Sequence, residues 1–104
     1  PCAPLDLAAI GELTFRAPDE VRFPATALCR AAAEAGGAAP AVLNAANEVA
    51  VAAFLASQLP FTRIAVMVEQ VLAHYAPPAP AALGDVFAID AEARRVARDM
   101  LELV

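Results

Sequence analysis

The sequence predicts an all-α fold, a four-helix bundle-like domain preceded by an extended linker arm. Hydrophobic residues make up 61% of the chain, with alanine the commonest of them, whereas the aromatic side chains are five phenylalanines and one tyrosine. Alanine is the strongest helix former, and its small side chain lets helices approach closely. Proline and glycine stand where helices would start and end, and the apolar residues between them repeat at helical spacing.

The arm is predicted to comprise residues 1–22, and the helical domain residues 23–104. Leu13–Phe15 has the composition of a short strand, and Pro18–Asp19 favours a turn. A lone strand has no stability of its own. We therefore expect the arm to lie against another part of a larger protein, or against another copy of the chain.

The first helix is predicted to run from Pro24 to Ala35, because proline suits the first helical position and Gly36–Gly37 can supply the left-handed conformation that ends a helix. Its predicted inward positions are Ala25, Leu28, Cys29 and Ala32. The cysteine in this set is expected to be a buried free thiol. A second helix should begin at Pro40 and end near residues 57–58.

The second helix contains the stretch Leu43–Leu55, which is apolar almost all the way round and is therefore predicted to be buried on several sides. Asn44 and Glu48 share one face of it, with Asn47 beside them. Buried polar groups need partners, because an unpaired one costs about 1–3 kcal/mol or more. We interpret these three residues as structural or interdomain contacts. The alternative is that Glu48 is a catalytic acid or base.

The third helix has the clearest start signal, with Thr62 as a predicted N-cap and Phe61 placed to pack on Val66 as a hydrophobic staple. Its apolar face repeats at helical spacing and consists of Ile64, Met67, Val68, Val71, Leu72 and Tyr75. The residues expected on the solvent side are Arg63, Gln70 and His74.

Residues 76–84 are rich in proline, and we expect them to span the bundle in an extended path. A recognition motif for proline-binding modules is the alternative. A short helical turn is predicted at Asp85–Ala88, followed by a last helix capped by Asp90. The predicted inward positions of that helix are Ala93, Val96, Ala97, Met100, Leu101 and Val104.

The net charge of −5 makes nucleic acid an unsuitable partner, because phosphates require a basic surface. The single concentration of positive charge is formed by Arg94, Arg95 and Arg98. Acidic residues alternate with it, and the four-residue pairs Arg95–Asp99 and Arg98–Glu102 are typical of an exposed helix face. An anion site at this cluster is the alternative interpretation.

Several signatures of chemistry are missing from the sequence. It has no dinucleotide-binding glycine motif, no lysine, no phosphate-binding glycine loop and no Cys-x-x-Cys or His-x-x-x-His spacing. We therefore predict no catalytic, cofactor-binding or metal-binding residue in this chain. No run of eighteen apolar residues predicts a membrane span, and the start resembles a cut rather than a signal peptide or a native N-terminus.

The run Asn44–Glu48 resembles the Asn-Ala-Ala-Asn-Glu helix of the 1-deoxy-D-xylulose-5-phosphate reductoisomerase family. Further pieces of that family's pattern follow in the same order along the chain: Leu5–Leu7, Leu13–Phe15, Pro18–Asp19, Phe23–Pro24, Pro60–Thr62, Val86–Asp90 and Ala93–Ala97. The resemblance covers the helical C-terminal domain of that enzyme and the linker before it.

The resemblance implies a parent enzyme that rearranges and reduces 1-deoxy-D-xylulose 5-phosphate to 2-C-methyl-D-erythritol 4-phosphate, in the non-mevalonate route to isoprenoids. The parent would use NADPH and a divalent metal such as Mg²⁺ or Mn²⁺, and would be a cytoplasmic homodimer. The family's catalytic, cofactor and metal residues lie upstream of this domain. The implied role of the chain is to buttress the catalytic domain, without activity of its own.

A second hypothesis is a free-standing helical protein-interaction module. It would share ancestry with the enzyme but not its chemistry. An upstream reading frame with a dinucleotide-binding motif would distinguish the first hypothesis from this one.

Overall fold

The computed structural model describes residues 1–103, and within them the secondary structure is entirely helical. The helices are α1 (Leu7–Ile10), α2 (Ala25–Ala35), α3 (Ala39–Leu55), α4 (Arg63–His74) and α5 (Leu83–Glu102). The four long helices confirm the all-α prediction, and α1 is a single additional turn in the arm. Within the described residues, no helix combines the length and the apolar character that crossing a membrane requires.

The arm is exposed along its whole length, residues 1–22. Asp6 starts α1 by accepting hydrogen bonds from the amides of Ala8 and Ala9, at 3.0 and 3.1 Å. Asp19 starts the predicted turn in the same way. The prediction of a strand at Leu13–Phe15 is wrong, because no strand lies beside this segment within residues 1–103.

Helix α3 lies at the centre of the bundle and packs against α2, α4 and α5. Helix α3 is central, but only one of its sides is buried and the opposite side is exposed, so the prediction that it is buried on several sides is wrong. Its buried residues are Val42, Ala45, Ala46, Val49, Ala50 and Ala53. The other helices meet them mainly with Met67, Val68, Val71, Ile89, Ala93, Val96 and Ala97. Most contacts of α3 and α5 are therefore made by alanine and valine, which permit a close approach of the helix axes.

Contacts near the start of α3 show the relative directions of the helices. Leu72 and Tyr75 at the end of α4 share a groove with residues 35–39, which lead into α3. Ala79, in the connection before α5, packs against Gly37 at the same end. The start of α3 and the end of α4 therefore lie together, and α5 begins near them, because it starts four residues after Ala79.

The inward face of α4 agrees with its predicted pattern. Met67, Val68 and Val71 are buried, and the other predicted apolar positions, Ile64, Leu72 and Tyr75, are partly buried against the core. The solvent side contains Arg63, Gln70 and His74, as predicted. Thr62, however, makes no capping hydrogen bond with its side chain. The Phe61 ring packs edge-on against Phe54, with 5.7 Å between ring centroids.

Helix α2 is less buried than its pattern suggested. Cys29 is exposed, so the prediction of a buried thiol is wrong. Ala32 is the one buried residue of α2. The helix lies at the edge of the bundle and contacts α3 and α4 through a narrow stripe. A short run of alanines cannot specify which of its sides faces the core, since alanine is tolerated on both.

Helix α5 begins seven residues before Asp90, the predicted cap. Asp85 occupies its first turn, and the carboxylate accepts hydrogen bonds from the amides of Ala81 and Ala82, at 2.9 and 3.0 Å. The predicted turn and the predicted last helix are thus one continuous element. The inward positions through Leu101 are buried or partly buried, and Val104 lies outside the described residues.

Ser57 ends α3 in a left-handed conformation, with φ of 60°. The amide of Ser57 donates to the carbonyl of Phe54, and the amide of Gln58 donates to the carbonyl of Ala53, at 2.9 and 2.8 Å. This pair of hydrogen bonds is the Schellman arrangement, in which glycine is the preferred residue at the left-handed position.

Replacing Ser57 with glycine is expected to raise the free energy of unfolding by about 0.5–1 kcal/mol, because glycine adopts a positive φ without steric cost. The matched control is Ala56→Gly, where φ is −82° and glycine has no such advantage. Thermal unfolding of the 104-residue chain measures both. Equal losses of stability in the two variants would contradict the role given to Ser57.

Candidate functional site

The predicted polar residues of α3 lie on the surface. Asn44, Asn47 and Glu48 are all exposed, and the buried core of the described residues contains no polar side chain. The expectation that they are buried is wrong, because the six buried positions of α3 all lie on its opposite side. The three side chains therefore face outward, away from the core of their own bundle.

Two of the three residues belong to a network that joins α3 to α5. Glu48 accepts hydrogen bonds from Asn44 Nδ2, at 3.2 Å, and from Arg94 Nη2, at 2.7 Å. Arg94 also donates from Nε and Nη2 to the two oxygens of Asp90, at 2.7 and 3.1 Å. We call these four residues the Glu48–Arg94 network. It fixes one turn of α3 against one turn of α5.

The charges within the network stabilise one another. The hydrogen bond from Arg94 lowers the pKa of Glu48 below its ordinary value, and the hydrogen bond from Asn44 lowers it further. Arg94 likewise lowers the pKa of Asp90, while the two carboxylates raise the pKa of Arg94. Glu48 is therefore ionised and paired at neutral pH. This arrangement suits an interhelical link better than a general acid.

Acid is expected to remove the stability that this network contributes. In the folded chain the pKa values of Glu48 and Asp90 lie below their ordinary 4.5 and 3.8. The stabilisation is therefore complete when the pH is above the pKa values of the unfolded chain. It is lost as the pH falls through the lower pKa values of the folded chain. Glu48→Gln should flatten the dependence of Tm on pH between about 5 and 3. The effect should be small and should weaken in high salt, because the pair is exposed.

The matched control for this prediction is Glu69→Gln, an exposed glutamate on α4. We expect that variant to keep the pH profile of the unmodified chain. Identical profiles for Glu48→Gln and the unmodified chain would contradict the stabilising role of the network.

The rest of the arginine cluster forms a solvated face. Arg95 pairs with Glu92 and with Asp99, both at 2.6 Å, which confirms the predicted Arg95–Asp99 pair. Among the ion pairs of residues 1–103, none joins Arg98 to Glu102. Carboxylates therefore pair with two of the three arginines, Arg94 and Arg95, so the structure does not support the anion-site interpretation.

Residues 1–103 do not bring together the ligands of a catalytic metal site. Within residues 1–103, no three His, Cys, Asp or Glu side chains are grouped so that they could bind a metal ion. The groove beside His74 is shallow, and its other lining residues include one basic side chain, Arg63. We therefore assign no step of any reaction to a metal ion or cofactor bound by this chain.

Sequence reasoning missed the partner of Glu48, because Arg94 is 46 residues away. It also gave no role to Leu83 and Phe87, whose large apolar side chains are exposed on α5. A signal existed for these residues. Leu83, Phe87, Asp90 and Arg94 repeat at spacings of four and three, so they form one outward stripe of the helix.

An all-α domain with an outward polar network and an exposed apolar arm is the class that this fold and site define. Comparison with known proteins agrees with that class. The chain belongs to the family described as the DXP reductoisomerase C-terminal domain, whose model matches residues 1–96.

Relatives match along almost the whole chain. The 1-deoxy-D-xylulose 5-phosphate reductoisomerase of Pseudomonas syringae pv. syringae is 57% identical over 96% of this chain, and that of Zymomonas mobilis is 50% identical over 98%. The chain spans 25% and 26% of those two proteins. The solved structure of the Zymomonas mobilis enzyme in complex with NADPH superposes with a TM-score of 0.91, over 98% of this chain and 27% of that one.

Proposed function

We propose that this chain is the C-terminal helical domain of a 1-deoxy-D-xylulose 5-phosphate reductoisomerase. The match to the Pseudomonas syringae relative over 96% of the chain is the observation that supports it most strongly. The whole enzyme would convert 1-deoxy-D-xylulose 5-phosphate to 2-C-methyl-D-erythritol 4-phosphate with NADPH and a divalent metal, Mg²⁺ or Mn²⁺. We further propose that it is a cytoplasmic homodimer.

Within that enzyme, the proposed role of this chain is to support the catalytic domain. The arm supports this role, because its large apolar side chains are in water and its backbone has no neighbouring strand. These side chains are Leu5, Leu7, Ile10, Leu13, Phe15 and Val21. Burying apolar surface stabilises a complex by about 25 cal/mol per Å². An arm of this composition is therefore well suited to lie along another domain.

The test is the reading frame that encodes this chain, followed by an assay of its product. We expect the frame to continue upstream into a dinucleotide-binding motif and paired acidic residues. The purified whole protein should oxidise NADPH in the presence of 1-deoxy-D-xylulose 5-phosphate and Mn²⁺. A start codon directly before Pro1 would instead favour the free-standing interaction module. A complete reading frame whose product leaves NADPH unchanged would contradict the proposed activity.

A further inference from the structure

The exposed arm joins the bundle through one short turn. Residues 20–22 form this turn, shortly before α2 begins. Its backbone is closed by a hydrogen bond of 2.9 Å from the amide of Phe23 to the carbonyl of Asp19. The Asp19 carboxylate accepts two more hydrogen bonds from amides within the turn, both at 3.0 Å. We call residues 18–24 the elbow.

The position of the elbow lets it orient the arm. Within residues 1–103, the one helical turn of the arm, α1, contacts none of the other helices. Every residue of the arm is exposed. The direction of the arm relative to the bundle therefore depends on the backbone where the arm meets α2.

Two prolines restrict the elbow at its ends. Pro18 and Pro24 each fix their own φ, and each disfavours helical backbone in the residue before it. Pro24 has φ of −72° and leads directly into α2. Because Ala17 and Phe23 are the residues before these prolines, the backbone has little freedom from Ala17 to the first turn of α2.

Side chains add two contacts to the elbow. Glu20 Oε1 lies 3.5 Å from Arg30 Nη1, and this ion pair joins the elbow to α2. The guanidinium group of Arg22 lies over the ring of Phe23, 5.5 Å from its centroid. Exposed contacts of this kind are individually weak. Here they act on a backbone that is already restricted, so less conformational entropy is lost in forming them.

We propose that the elbow fixes the direction in which the arm leaves the bundle, before the arm contacts any partner. The elbow is a conformational device of this chain, and the inference goes beyond the proposed function, because every contact on which it depends lies within residues 17–30. An arm that is held in advance loses less freedom when it binds. Its exposed apolar side chains can therefore be buried against a partner at a smaller entropic cost than a free hinge would allow.

Pulsed electron paramagnetic resonance on the 104-residue chain measures the direction of the arm. One nitroxide label is attached at Arg16→Cys, just before the elbow, and the other at Ala52→Cys, exposed on α3. The natural free thiols are removed by Cys2→Ser and Cys29→Ser. We expect one narrow distribution of distances between the labels. A broad distribution, as a free hinge would give, or a chain without helices in circular dichroism would overturn the proposal.

Substitutions at Asp19 test the turn of the elbow. Asp19→Ala removes the side-chain acceptor of two hydrogen bonds, and we expect the distance distribution to become about two-fold broader. Asp19→Asn should keep it narrow, because an amide oxygen also accepts hydrogen bonds. The matched control is Asp6→Ala, which removes the same kind of acceptor from the start of α1, farther along the arm than either label. It should leave the distribution unchanged.

The ion pair of the elbow is tested separately. Glu20→Gln removes the charge that faces Arg30, and its control is Glu34→Gln, at an exposed glutamate of α2. Because the pair is exposed, Glu20→Gln should broaden the distribution by less than Asp19→Ala, and Glu34→Gln should not broaden it. An unchanged distribution in both Asp19→Ala and Glu20→Gln, or equal broadening by Asp6→Ala, would overturn the proposal.

Discussion

Replacing Leu59 with alanine is expected to lower the free energy of unfolding by about 2–5 kcal/mol. Leu59 lies in the connection between α3 and α4, yet it is only 3% exposed and belongs to the hydrophobic core. Truncation removes buried methyl groups and leaves a cavity that the surrounding helices fill only in part. For a domain of this size, the loss corresponds to a fall in Tm of roughly 10 °C or more.

Leu55→Ala is the matched control for this prediction. Leu55 is four residues earlier and 75% exposed, so its truncation in the isolated 104-residue chain should change stability by less than about 0.5 kcal/mol. Urea denaturation of the two variants measures the difference. Similar midpoints for Leu59→Ala and Leu55→Ala would show that the α3–α4 connection does not contribute to the core.

Enlarging a central alanine should destabilise the bundle by a different mechanism. Ala46 has no exposed surface and lies on the buried side of α3. A leucine there adds three carbon atoms where α3 meets its neighbours, and it must push a helix away or adopt a strained rotamer. We expect Ala46→Leu to lower the free energy of unfolding by about 1–3 kcal/mol, despite its good helix propensity.

The control for Ala46→Leu lies on the same helix. Ala52 is exposed, so Ala52→Leu adds the same three carbon atoms where there is room for them. Thermal unfolding followed by circular dichroism should give a clearly lower Tm for Ala46→Leu and an almost unchanged Tm for Ala52→Leu. If both variants kept the original Tm, the bundle would not depend on small side chains at its centre.

The features that were predictable from the sequence depend on residues with strong local preferences. Gly36 and Gly37 have positive φ, as their position after the first helix predicted. In α4, valine, methionine and isoleucine at helical spacing identified the buried face, because these side chains are costly to expose. The order of the four long helices followed from such signals.

The features that could not be predicted involve alanine or contacts between distant residues. Alanine is equally acceptable inside and outside a helix bundle, so the orientations of Cys29 on α2 and of Asn44 on α3 were ambiguous. Both are exposed in the structure. The pairing of Glu48 with Arg94 depends on how α3 and α5 pack, which no local pattern contains. The sequence around Asp90 predicted the start of a helix, but α5 is continuous through that residue.

We propose that this chain supports chemistry performed elsewhere in a reductoisomerase. The most direct measurement is a parallel titration of NADPH, with Mn²⁺ present, into the whole protein and into the 104-residue chain, once circular dichroism has shown that chain to be helical. We predict saturable binding by the whole protein and none by the chain. Tight binding of NADPH by the folded chain alone would contradict the claim.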